Sequence, residues 1–200
     1  LHGRYNFKYE TVAVSYDKLP PALEGLTIVH LSDLHLKSFR RHPHRMQMVV
    51  DSINAIEPDI IVNTGDFVTY LFDELEPFAE ILGELKAKYG VYAVPGNHDT
   101  GLYSGRYDKG NYGVHLDIIG DILRKANHIY LDDTTEYISI DTACLALTGV
   151  VTYGSVPDLY YGDLDRAISS TDTADFRILL THDPNHWLAD VQGRNDIDLT

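Results

Sequence analysis

The sequence predicts a mixed α/β domain with α+β character, and three observations lead there. Short apolar runs alternate with helically spaced apolar positions through the first half, the pattern of parallel βαβ units with both sheet faces covered. After Ile129 the apolar runs crowd together, as antiparallel strands do. Four of the runs are followed directly by Asp, His or Asn, at the edge where open α/β sheets place their ligands.

Taken in order, Leu26–Leu31 is fit for a buried strand. Met46, Val49, Val50, Ile53 and Ile56 keep helical spacing, with Pro58 just beyond them. Ile60–Val62 is the next strand. Leu75, Phe78, Ile81, Leu82 and Leu85 form a second helical stripe that stops near Gly90. Val91–Val94 is a third strand, and Leu116, Ile119, Ile122 and Leu123 mark a third helix. Strand-like runs follow at Ile129–Leu131, Glu136–Ile140 and Cys144–Val150. A short helix at Asp163–Ser169 then precedes a buried strand at Phe176–Leu180. Between Thr100 and Gly113 lies a loop rich in glycine and tyrosine, too long for a simple connector.

Composition narrows the function classes. Hydrophobic residues make up 44% and charged residues 23% of 200 residues, which excludes disordered and fibrous chains. The longest apolar run, Cys144–Val151, falls far short of the ~18 residues of a membrane span. Cys144 is the single cysteine, so neither an intramolecular disulfide nor a cysteine-based zinc cluster can form. A net charge of −14 argues against broad nucleic-acid binding, which needs Lys and Arg to displace counterions. Within the acidic set, 22 Asp stand against 8 Glu. The chain begins at Leu1 rather than Met, and Asn195–Thr200 reads as a strand that stops as it opens, so a fragment is expected at both ends.

The residues behind the strands carry the chemistry. They are Asp33-Leu34-His35, Gly65-Asp66, Gly96-Asn97-His98-Asp99 and Thr181-His182-Asp183. Aspartate, imidazole and one neutral amide oxygen suit borderline-hard divalent ions such as Mn, Fe or Zn. A single aspartate has two oxygens and can bridge two ions about 3.5–4 Å apart. Gly65 and Gly96 let the backbone turn and leave room. Asp-x-His and Gly-Asp are each common in turns and caps. Gly-Asn-His-Asp is much rarer, and all four segments in order, each behind a strand, point to one metal site.

Together and in that order, these motifs resemble the calcineurin-like metallophosphoesterase superfamily over residues 26–200. Leu26–His35 is similar to its exported or membrane-anchored bacterial branch, the YkuE- and YaeI-like phosphodiesterases. The resemblance implies a four-layer sandwich, two mixed β-sheets flanked by helices, with a dinuclear centre on one edge. It implies two divalent metal ions as cofactors, with Mn, Fe and Zn all open. Asp33 and His35 would hold the first ion, Asp66 would bridge, and Asn97 and His182 would hold the second. His98 would lie near the phosphate rather than on a metal, and Asp99 would orient His98. The family's closing Gly-His-x-His motif follows a strand that Asp196–Thr200 resembles. Residues 1–200 are therefore expected to be one domain cut before that motif, with two histidine ligands outside it.

The implied reaction is hydrolysis of a phosphodiester or pyrophosphate bond by a hydroxide between the ions. His98 would protonate or stabilise the leaving oxygen, with Asp99 setting its tautomer. The branch implies a nucleotide-linked lipid or other cell-envelope substrate. It also implies attachment to the membrane through a segment outside these residues, at the cell membrane or on its exported, periplasmic side. A catalytically silent scaffold for protein binding, a nuclease and a phosphomonoesterase of the same superfamily are the other readings. A purple-acid-type phosphatase would want a tyrosine ligand where Phe67-Val68-Thr69 follows Asp66.

Two readings stand for the surrounding residues. Arg40, Arg41 and His42, in the basic stretch 37–45, form either a positive rim for an anionic substrate or a solvated turn into a helix. Tyr103 and Tyr107 either stack on or cover the substrate, or pack on the surface. Trp187 reads as core rather than substrate platform, and Cys144 as a buried small hydrophobe.

Overall fold

The computed structural model describes residues 7–152, 162–168 and 174–200. Its strands are β1 (Ile28–Leu31), β2 (Ile60–Asn63), β3 (Val91–Ala93), β4 (His128–Tyr130), β5 (Thr134–Ile140), β6 (Ala143–Gly149) and β7 (Phe176–Leu180). Its helices are α1 (His44–Asn54), α2 (Ala79–Leu82), α3 (Tyr112–Lys125) and α4 (Leu164–Ala167). The first four strands form one sheet in the order β1-β2-β3-β4, parallel throughout. Each crossover runs through a helix, as parallel neighbours require. In the second sheet, β5 is antiparallel to β6 and β6 is parallel to β7, so the mixed character lies there.

Side-chain alternation assembles the layers. Ile61, Val91 and Ala93 face a core shared with Met46, Val50 and Ile53 of α1, Leu82 of α2 and Ile119 and Leu123 of α3. Ile60, Val62, Tyr92 and Val94 face the second sheet, meeting Leu145, Leu147, Phe176, Ile178 and Leu180. Beyond that sheet, Leu179 packs with Val150, Leu164, Ala167 and Val191. Helices, sheet, sheet and helices make four layers.

Several expectations need refinement. β1 is an edge strand and only half-buried, because β2 alone pairs with it. Leu75, Phe78, Leu82 and Leu85 are buried as their spacing predicts, yet α2 is a single turn. Pro77 lacks the amide hydrogen an α-helix needs there, so tight 3-10 turns at Phe72–Glu74 and Glu76–Phe78 take its place. Trp187 is not core. It is 47% exposed on a π-helical turn, Trp187–Val191, beside an exposed Leu188. Cys144 is half-buried in β6 rather than fully enclosed. The short helix expected at Asp163–Ser169 is α4, Ser169 itself lying outside the described residues. Leu199 bridges Ile178 in parallel, so Asp196–Thr200 does open along β7. Among the described residues no helix is long and apolar enough to cross a membrane.

Candidate metal centre

Parallel register sets Leu31, Asn63 and Ala93 side by side, so the three loops that follow converge. Backbone bonds stitch them together. Asp33 N donates to Gly65 O at 3.0 Å, His35 N to Asp66 O at 2.9 Å and Leu36 N to Phe67 O at 2.9 Å. Asp33, His35 and Asp66 all adopt left-handed backbone, with φ of 55°, 42° and 58°. That conformation costs an L-residue about 1–2 kcal/mol, and such strain gathers where function demands it. Gly65 has φ 101°, and a Cβ on it would strike the backbone of Gly96. At Gly96 the need is close approach alone, because a Cβ there would overlap the Asp66 carboxylate.

Asp66 is the centre of the arrangement. It is 3% exposed, and its Oδ1 accepts the His98 amide at 2.9 Å. Its Oδ2 lies 3.6 Å from His35 Nε2 and 3.5 Å from His182 Nε2. Asp33 Oδ1 stands 3.9 Å from His35 Nε2. Two groups of donor atoms have all members within 4.8 Å of one another, His35–Asp66–His98 and Asp33–Asp66–His182, with Asp66 in both. His98, expected beside the phosphate, thus falls in the donor cluster with His35.

All three imidazoles are held the same way. Nδ1 of His35 bonds Val68 O at 3.2 Å, Nδ1 of His98 bonds Thr69 O at 2.7 Å, and Nδ1 of His182 bonds Thr64 O at 2.8 Å. A carbonyl can only accept, so each Nδ1 carries the hydrogen and each Nε2 presents its lone pair to the cluster. Metal-ligating histidines are oriented in this manner. The chemistry of the donors, two carboxylates and three aimed imidazoles around a shared oxygen, fits divalent ions.

Asp99 departs from expectation. It does not bond His98, whose Nδ1 is taken by Thr69. Asp99 Oδ2 accepts from Asp66 N at 2.8 Å and Gly96 N at 2.9 Å, and its Oδ1 accepts from Val68 N at 3.1 Å. Complete burial, and secondarily the charge of Asp66, push its carboxyl up to about 7 against the pull of those three donors. Its role is to lock the loop after β2, at Asp66 and Val68, to the loop after β3, at Gly96. Beneath it, buried His115 of α3 bonds Asp99 O through Nδ1 at 2.7 Å and accepts Phe72 N at Nε2 at 3.0 Å.

The remaining candidates divide. Asn97 Nδ2 donates to Tyr103 Oη at 2.9 Å, and the Tyr103 ring stacks on His98 at 4.3 Å between centroids. Tyr103 is therefore at the site. Tyr107 is drawn away onto His115, with ring centroids 4.7 Å apart. Arg40 pairs with Asp73 at 3.6 Å, and Arg41 is exposed on the turn before α1. His42 is exposed there too and meets His44 edge-on. The carbonyls of Thr64, Val68 and Thr69 carried no signal in the sequence, because a backbone oxygen belongs to every residue alike, and His115 carried none because it lies within α3, outside the four motifs.

Residues 26–199 match the calcineurin-like phosphoesterase family. A Danio rerio "transmembrane protein with metallophosphoesterase domain" is 30% identical over 195 residues, 96% of this chain and 43% of that protein. The "uncharacterized metallophosphoesterase YkuE" of Bacillus subtilis is 26% identical over 176 residues, 84% of this chain and 54% of that one. The chain thus spans about half the length of these relatives. Among solved structures, the sulfate thiohydrolase SoxB of Thermus thermophilus in complex with glycerol shares the fold. The TM-score is 0.50 at 12% identity, over 92% of this chain and 48% of that chain. The match across nearly all of its length places the chain in the calcineurin-like phosphoesterase family.

Proposed function

We propose that the site hydrolyses phosphate esters with two divalent metal ions, preferring a phosphodiester or pyrophosphate bond on a membrane-derived or cell-envelope substrate. The observation that carries this reading is the buried Asp66 Oδ2, 3.6 Å from one imidazole and 3.5 Å from another, delivered from different sheets. An oxygen so shared suits a pair of ions better than one. When bound, the ions supply a water acidified toward neutrality and positive charge for the phosphoryl oxygens.

The chain's own residues do the rest. Asp33, His35, Asp66 and His182, with the Asn97 amide oxygen, would hold the ions. Neutral His98 presents Nε2 as an acceptor. As an imidazolium it holds a proton at Nε2 for the leaving oxygen. Tyr103 covers one face of that ring. The likeness of Leu26–His35 to a phosphodiesterase branch supports a diester. The Danio rerio relative, named as a transmembrane protein, supports a substrate and a location at a membrane. The charge of −14 weighs against nucleic acid.

The test is hydrolysis of bis-p-nitrophenyl phosphate and p-nitrophenyl phosphate with Mn²⁺, beside Asp66→Ala and His98→Ala. Wild type should favour the diester, and His98→Ala should lose about 10²–10⁴-fold in rate. A wild type as inert as Asp66→Ala with every metal tried would overturn the proposal.

A further inference from the structure

Val68 and Thr69 hold two of the site's histidines, and their own amides are held in turn. Val68 O accepts His35 Nδ1 at 3.2 Å, and Thr69 O accepts His98 Nδ1 at 2.7 Å. Thr69 Oγ1 lies a further 3.5 Å from His35 Nδ1. The Val68 amide donates to Asp99, and the Thr69 amide donates to Glu74 Oε2 at 2.6 Å. Glu74 is 3% exposed, rare for a glutamate, and belongs to none of the four motifs. Its Oε1 stands 3.7 Å from Lys37 Nζ, which also lies 4.3 Å from the centre of the Tyr70 ring.

The Thr69 N–H and the Val68 C=O belong to one peptide unit. That unit is planar and trans, so holding the N–H from one side fixes where the carbonyl points on the other. A carboxylate on the N–H also polarises the unit and makes its oxygen a stronger acceptor. We propose that Glu74 is a positioning residue. Through the Val68–Thr69 peptide it sets the plane and tautomer of His35, and through Thr69 it sets the carbonyl that holds His98. The line carboxylate–peptide–imidazole does here what a carboxylate bonded directly to a ligand histidine does elsewhere.

The inference rests on the metal-centre reading of the site, and its test separates the two. Long-range ¹H–¹⁵N spectra of the metal-free chain report the His35 tautomer, and calorimetry reports Mn²⁺ affinity. Glu74→Gln keeps an acceptor oxygen; it should retain the Nδ1–H tautomer and stay within about threefold of wild-type affinity. Glu74→Ala should lose the single tautomer and bind Mn²⁺ about 10–100-fold more weakly. Glu74→Asp, whose carboxyl is drawn back from the Thr69 amide, carries the same expectation should the alanine variant not fold. A Glu74→Ala chain with wild-type tautomer and affinity overturns the inference, as does a glutamine variant that fails along with the others. If wild type binds none of Mn²⁺, Fe²⁺ and Zn²⁺ while Glu74→Ala still releases the His35 tautomer, the metal reading falls and the positioning role stands.

Discussion

Asp99 offers the sharpest test of how this site is built. Its carboxyl is 0% exposed and accepts three backbone amides, those of Gly96, Asp66 and Val68. Asp99→Ala would strand three buried donors, each worth about 1–3 kcal/mol when unsatisfied. The expected loss is therefore on the order of 3–9 kcal/mol, a large part of the ~5–15 kcal/mol that holds a domain together. Asp99→Asn keeps one acceptor oxygen and turns an NH₂ toward the remaining donors, so about 1–3 kcal/mol is expected. Urea unfolding of wild type and both variants reads these values directly. Mn²⁺ calorimetry in a His98→Ala background then separates two roles. If Asp99 locks the Asp66 and Val68 backbone, Asp99→Asn still weakens binding when His98 is gone. Should the substitution be silent in that background, Asp99 acts through His98 and the reasoning here is wrong.

Other outcomes are expected from the same geometry. Gly96→Ala drives a Cβ into the Asp66 carboxylate; Mn²⁺ binding should be lost while urea unfolding stays cooperative, at a cost of about 1–3 kcal/mol. Saturating Mn²⁺ at a hundred times its Kd should stabilise wild type by about 2.7 kcal/mol over the EDTA-treated chain, a difference that Asp66→Ala abolishes in thermal unfolding. His128 is buried, which lowers its affinity for a proton below the ordinary 6.5. Its contribution to stability is full above that value and is lost as pH falls toward the lowered one. As pH falls below about 6.5, urea midpoints should therefore fall more steeply in wild type than in His128→Gln.

How much of this was legible in the sequence varies by kind. Phe176–Leu180 is a strand with the very bounds expected of it, because four of its five residues are apolar and all five are buried, with Arg177 the one charged interruption. The stripe from Leu75 to Leu85 reported burial correctly and helix incorrectly, since periodicity records which side chains turn inward, whereas Pro77 decides the backbone. The surplus of Asp over Glu was visible as a number without a cause. Asp33, Asp66, Asp133 and Asp141 adopt left-handed backbone that a short polar side chain tolerates. Asp59, Asp108, Asp163, Asp175, Asp183 and Asp198 accept backbone amides, some nearby and some distant in sequence. A carboxylate one carbon from the backbone is the right length for those bonds.

By itself the sequence determined the order of strands and helices, and the residue types that gather behind the strands. Both are local: hydrophobic spacing selects an element, and a motif is a run of neighbours. Only the tertiary structure decided that Asp66 is shared by two imidazole groups, and that Asp99 serves the backbone instead of His98. It also decided that Val68, Thr69 and Thr64 aim the histidines. Those contacts join segments about 30 to 118 residues apart through peptide groups that every residue carries. No residue type announces them: two exist only once the first sheet has formed, and the bond of His182 to Thr64 only once the two sheets have packed.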